Sequence, residues 1–208
     1  MTAADMPIRD AATIILLRRM PEGLAVLMGM RGAKAAFMPS KYVFPGGAVD
    51  QDDALTTEDG ADPDCLRRLS LEPRAGTDMP APAILAAALR ELTEETGLHL
   101  RDGAAALRFV FRAITPPGRP RRFDARFFAA DAAQITGDPD DFSAACDELS
   151  HLHWVPVAQA RALNLPFITE VVLAEVEALA RGHDHLPRPE TVPFFDNRSH
   201  APRFVQIR

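Results

Sequence analysis

Two cysteines in 208 residues are too few for a disulfide framework or a Cys-rich zinc site. Cys65 and Cys146 are expected as free thiols in a reducing compartment, and the count also admits one disulfide. Positive charge is in short supply too. Lys and Arg number 23 against 29 Asp and Glu, a net charge of −6. With no basic stripe to compensate, this charge argues against a nucleic-acid backbone as the main partner. Free nucleotides stay open, because a metal ion screens their phosphates locally. No apolar run is long enough to span a bilayer, and Met1 to Asp10 lacks the apolar centre of a signal peptide. The expectation is therefore no membrane partner and a cytoplasmic location. Repeats and low-complexity tracts are absent as well. The remaining composition, 47% hydrophobic and 25% charged, is ordinary for a globular chain. Length and composition together suit one domain over residues 1–208 with a sizeable core.

Against this background, the stretch Arg90-Glu91-Leu92-Thr93-Glu94-Glu95-Thr96-Gly97-Leu98 stands out. At helical periodicity Glu91, Glu94 and Glu95 project within a sector of roughly 100°. Glu91 and Glu95 form a like-charge pair costing about 0.2–0.5 kcal/mol on an exposed helix. They also lie just before Gly97, a helix terminator, where the macrodipole disfavours anions. Arg90, four before Glu94, gives the only local relief. A cation on the cluster would resolve the conflict, and oxygen-only ligands suit Mg²⁺ or Mn²⁺. A solvated acidic face is the plain alternative.

A second segment, Phe44-Pro45-Gly46-Gly47, ends the apolar run Lys41-Tyr42-Val43-Phe44. It reads as a double-glycine turn where backbone must approach something closely. Together the two segments resemble the Nudix box of Nudix hydrolases. That pattern runs Gly, five residues, Glu, seven residues, then Arg-Glu-U-x-Glu-Glu-x-Gly-U, with U a bulky aliphatic. Residues 90–98 match its second half at every specified position, and Gly47 would open the box. Asp53 stands where the pattern has its first Glu, with Asp50, Asp52 and Glu58 as alternatives. Between Asp53 and Arg90 lie 36 residues instead of seven, so an insertion of 29 splits the box.

The insertion, about residues 51–81, is loop-like with one helix near Asp64 to Leu71. Upstream, Ala12 to Leu17 and Leu24 to Met28 form a hairpin around Pro21 and Gly23. Pro82 suits a first helical turn, with Ile84, Leu85, Ala88, Leu89 and Leu92 as its buried stripe. Leu107 to Ile114, Phe123 to Ala130 and His151 to Val155 read as strands. Val157 to Leu163 and Phe167 to Ala180 read as helices. The extended tail from about 186 is Pro-rich and polar, with a strand at Phe204 to Ile207. Strand–helix–strand order of this kind predicts an α/β sandwich with a mixed β-sheet. The resemblance implies the same class, a Nudix-type α/β/α sandwich.

The resemblance also implies a chemistry: hydrolysis of the pyrophosphate linkage in a nucleoside diphosphate attached to another moiety, such as coenzyme A, ADP-ribose or a sugar. Carried over, Gly47 offers its carbonyl to metal and Glu94 and Glu95 bind metal directly. Glu91 assists through metal or water, and Arg90 orients the glutamates. An additional carboxylate often precedes a Trp-containing strand in this family. Here Glu148 lies six residues before Trp154, as metal ligand, general base or ordinary loop acid. Arg119, Arg121, Arg122 and Arg126 surround a Pro-Pro-Gly segment, either to dock substrate phosphates or as a solubilising hairpin. His151 and His153 read as strand residues, and His183-Asp184-His185 as helix capping. The split box and the run from Thr115 to Asp124 look like the branch of coenzyme A diphosphatases with interrupted boxes. The coenzyme A motif of that branch, however, has Arg and Gly where Ala36 and Ser40 stand. A non-hydrolytic Nudix-fold nucleotide sensor is the rival reading, and a homodimer is compatible with either.

Overall fold

In the computed structural model, which describes residues 6–35, 37–55, 60–75, 77 and 79–208, the first apolar runs extend into long strands. β1 (Ile8–Met20) and β2 (Gly23–Arg31) form an antiparallel hairpin closed by Met20 opposite Gly23. β1 is apolar on both faces because both are covered. Ala12, Ile14 and Leu16 join one core, and Ile15 and Leu17 the other, as expected for a central strand.

After the short β3 (Tyr42–Val43), the double glycine is not simply a turn. It forms β4 (Gly46–Ala48), paired with Ala11 to Thr13 of β1. Glycine is required for that approach, since a Cβ on Gly46 would lie 2.5 Å from the Ala12 carbonyl oxygen.

The insertion contributes α1 (Pro63–Leu69) and then leads into α2 (Ala81–Thr96). Helix α2 ends at Gly97, whose φ of 75° is left-handed, as a terminating glycine should be. Next come β5 (Arg108–Ile114), β6 (Arg122–Asp131), β7 (Leu149–Pro156), the short α3 (Val157–Ala160) and α4 (Phe167–Ala180). Helix α3 stops at Ala160 rather than Leu163. Ala162 and Leu163 continue only as tight turns onto Gln159 and Ala160. Two strands close the chain, β8 (Val192–Asp196) and β9 (Arg203–Ile207). β8 was hidden in the tail because Pro193 interrupts its apolar residues.

Among the described residues the sheet runs β3-β2-β1-β6-β5-β8-β9, with β4 on β1 and β7 on β2. It is mixed, β1–β6 and β5–β8 being parallel. Helices α1 and α2 cover one face, while α3 and α4 cover the other, giving the expected α/β/α layering. No helix among the described residues is long and apolar enough to cross a membrane.

One polar assembly lies inside the sheet. Arg112 forks onto Asp124 at 2.9 and 2.8 Å and also donates to the Leu71 and Glu72 carbonyls. Asp10 accepts from Arg126, from Arg74 at 2.8 Å and from Thr77 at 2.6 Å. Burial opposes the Asp10 charge, but the Thr77 and Arg126 hydrogen bonds and nearby guanidinium charges hold its pKa below the usual carboxylate value. The end of the insertion is thereby tied to β1, β5 and β6.

Candidate metal centre

The acidic residues of α2 do not form an exposed face. Glu95 is 1% exposed and Glu91 9%, because the end of α2 lies against β4. The Gly46 N–H donates to Glu95 Oε2 at 2.7 Å, whereas the buried Oε1 has no partner among the described residues. Gly47 sits directly on the other carboxylate, so a Cβ there would come within 2.3 Å of Glu91 Oε1. Burial pushes the Glu95 carboxyl up to about 8, the charges of Glu91 and Glu148 add to the rise, and the Gly46 N–H opposes it. Glu91 is also raised by burial, against the pull of Arg90.

Two arginines flank the pair. Arg90 donates to Asp53 at 2.9 and 3.1 Å, to Glu91 at 2.9 Å, to Glu94 at 3.0 Å and to the Ala48 carbonyl at 3.0 Å. Asp53 is buried and also accepts the Asp50 N–H at 2.8 Å. Among the alternatives for the first box acid, it is the one that receives the Arg90 fork. Asp50 lies 3.9 Å from that guanidinium on an exposed side chain, and Glu58 is outside the described residues. The other arginine is Arg31, whose Nη2 donates to Glu148 Oε1 at 2.5 Å. Sequence reasoning passed over Arg31. A cation closing an apolar strand just before a glycine was the available signal.

The four hairpin arginines separate. Arg126 is buried on Asp10 and Asp124, and Arg122 is buried on the carbonyls of Thr115 and Asn197. Both are thus engaged inside the fold instead of facing a ligand. Arg119 and Arg121 remain exposed. The Trp154 indole donates to Pro139, with Arg18 over its ring. His151 and His153 are exposed strand residues.

Could these residues hold a divalent cation? Among the described residues no three His, Cys, Asp or Glu side chains already converge to metal-binding distance. Glu94 and Glu148, about half exposed, are drawn onto Arg90 and Arg31. The donors nonetheless fit a hard cation. Two buried carboxylates stand together, and one oxygen lacks any partner, an arrangement that a dry interior disfavours strongly unless protons or a cation compensate.

Residues 78–176 match the family model described as NUDIX domain. That stretch is similar to a Nudix domain. Solved structures agree on the fold. A NUDIX hydrolase from Alicyclobacillus acidocaldarius is 25% identical, aligning over 88% of this chain and 100% of its own, with a TM-score of 0.61. The NUDIX domain of NrtR from Shewanella oneidensis, solved in complex with ADP ribose, is 12% identical over 84% of this chain and 90% of its own, with a TM-score of 0.54. A MutT NUDIX hydrolase from Burkholderia pseudomallei is 19% identical over 82% and 98%, with a TM-score of 0.50. This fold places β4 beside the end of α2, so the two segments that resemble the halves of a split box lie together in space.

Proposed function

We propose that this chain is a divalent-metal-dependent hydrolase that cleaves the pyrophosphate linkage of a nucleoside diphosphate joined to another group. The observation that carries the reading is the buried Glu91–Glu95 pair with its unpartnered oxygen. Glu91, Glu94, Glu95 and the Gly47 carbonyl would hold Mg²⁺ or Mn²⁺. A bound cation supplies Lewis-acid polarisation of phosphate oxygens and of water. Arg90, its guanidinium anchored on the Asp53 carboxylate and the Ala48 carbonyl, fixes the orientation of Glu91 and Glu94. Glu148, half exposed at the rim, is suited to accept a proton from attacking water or to add a metal ligand.

Coenzyme A belongs among the substrates to be tried because of the split box, alongside ADP-ribose, dinucleoside polyphosphates, nucleotide sugars and NADH. The test is phosphate or nucleotide release over this set, with Mg²⁺ and with Mn²⁺, in wild type and Glu95→Gln. The variant, which keeps shape and removes charge, should lose turnover by about 100-fold or more while its circular dichroism is unchanged. Equal turnover in the two proteins would sink the assignment. Tight nucleotide binding by wild type with no product under either metal would favour a sensor instead.

A further inference from the structure

Unlike Arg90, Arg31 has guanidinium donors to spare. Each guanidinium nitrogen of Arg90 is already committed, to Asp53, Glu91, Glu94 or Ala48. Arg126 and Arg122 are tied inside the fold. On Arg31 only Nη2 has a partner among the described residues, and its buried Nε has none.

Its position is built rather than incidental. The Arg31 N–H donates to the Lys41 carbonyl at 2.9 Å, and its carbonyl accepts from Ser40 at 3.1 Å. A bulge between Met28 and Met30 sets Arg31 opposite Leu149, beside Glu148. Gly29 in that bulge admits no side chain, since a Cβ would lie 2.8 Å from Leu149 Cβ. The Arg31 charge is also felt by Glu95. Glu148 is 52% exposed and Arg31 20%, and an ion pair open to water on its carboxylate side is held weakly.

We propose that Arg31 is the phosphate-binding residue of this site, held in line by Glu148 until a diphosphate takes over its guanidinium fork. The proposal rests on the nucleoside diphosphate reading above. Arginine suits the role because its planar fork binds phosphate oxygens in pairs. The exchange would also free Glu148 as the substrate docks, coupling arrival of the diphosphate to the carboxylate's release.

The test is titration calorimetry with α,β-methylene-ADP, a non-hydrolysable diphosphate, in saturating Mn²⁺, together with Mn²⁺ alone. Arg31→Ala and Arg31→Gln should weaken the analogue by about 10-fold or more while Mn²⁺ affinity stays within about threefold. Arg31→Gln, which retains the stem, decides the matter if the alanine variant does not fold. Unchanged analogue affinity in the variants overturns the role of Arg31. So does a parallel loss of Mn²⁺ affinity, which would make Arg31 a support of the carboxylates. Wild type that binds Mn²⁺ but no analogue refutes the nucleotide reading itself.

Discussion

The Glu95 carboxyl carries the site's conflict in a single group. Its proton is held by burial up to about 8, from an ordinary value of 4.5. Between those values the folded protein binds more protons than the unfolded chain, so stability falls as pH rises through this window. The Glu91 shift has the same sign. For a chain of this size, about 1 kcal/mol moves Tm by about 2–4 °C. The metal-free protein should therefore lose several degrees in Tm from about pH 5.5 to about pH 8, read by differential scanning calorimetry. Most of that slope should vanish in Glu95→Gln, and Mn²⁺ should restore stability to wild type at the upper pH. Identical slopes in the two proteins would show that Glu95 does not hold a proton there. The sequence revealed that these glutamates crowd one side of a helix. It could not reveal that the side is buried, because burial is imposed by β4, a segment whose two glycines resemble a turn.

At the scale of elements, the helix of the box was legible because Pro82, a regular apolar stripe and Gly97 all mark it locally. Less legible was how the insertion is secured. Arg112 and Asp124 stand in apolar strands and read as interruptions until β5 and β6 pair and bring them together with Asp10, Arg126 and Arg74. Such pairings are set by sheet register rather than by neighbours in sequence. The alternation of β6 likewise turns both Arg122 and Arg126 into the protein. Asp124 is wholly buried and faces Arg112 at 2.8 Å, Arg126 at 3.4 Å and Arg74 at 3.5 Å. Removing one partner of such a group leaves uncompensated buried charge, at a cost of about 3–5 kcal/mol. Asp124→Ala should show that loss in urea denaturation, and limited proteolysis should cut first near residues 71–77. A loss below about 1 kcal/mol would mean that Arg112 is satisfied by the Leu71 and Glu72 carbonyls, and Arg74 and Arg126 by Asp10.

For the whole molecule, the family-model match over residues 78–176 spans less than the sheet needs. β1 lies between β2 and β6, and β5 relies on β8 for its outer neighbour. The C-terminal hairpin is part of the core: Val192, Phe194 and Ile207 are buried with α2 and β5. Arg112 stacks its guanidinium 4.4 Å from the Phe194 ring centre. Asn197 donates to the Ile114 carbonyl, and Arg198 grips Glu72 and Pro73 of the insertion. Ending the chain at residue 190 would expose the β5 edge, open the core and strip two anchors from the insertion. Losing the three buried side chains of Val192, Phe194 and Ile207 costs about 1.5–3 kcal/mol each, a sum comparable to the whole reserve of an ordinary domain. The truncated protein should therefore lack a cooperative thermal transition and exchange its β5 amides rapidly. If instead it melted cooperatively within a few degrees of the full chain, β8 and β9 would be an accessory layer, and the catalytic unit would end at α4.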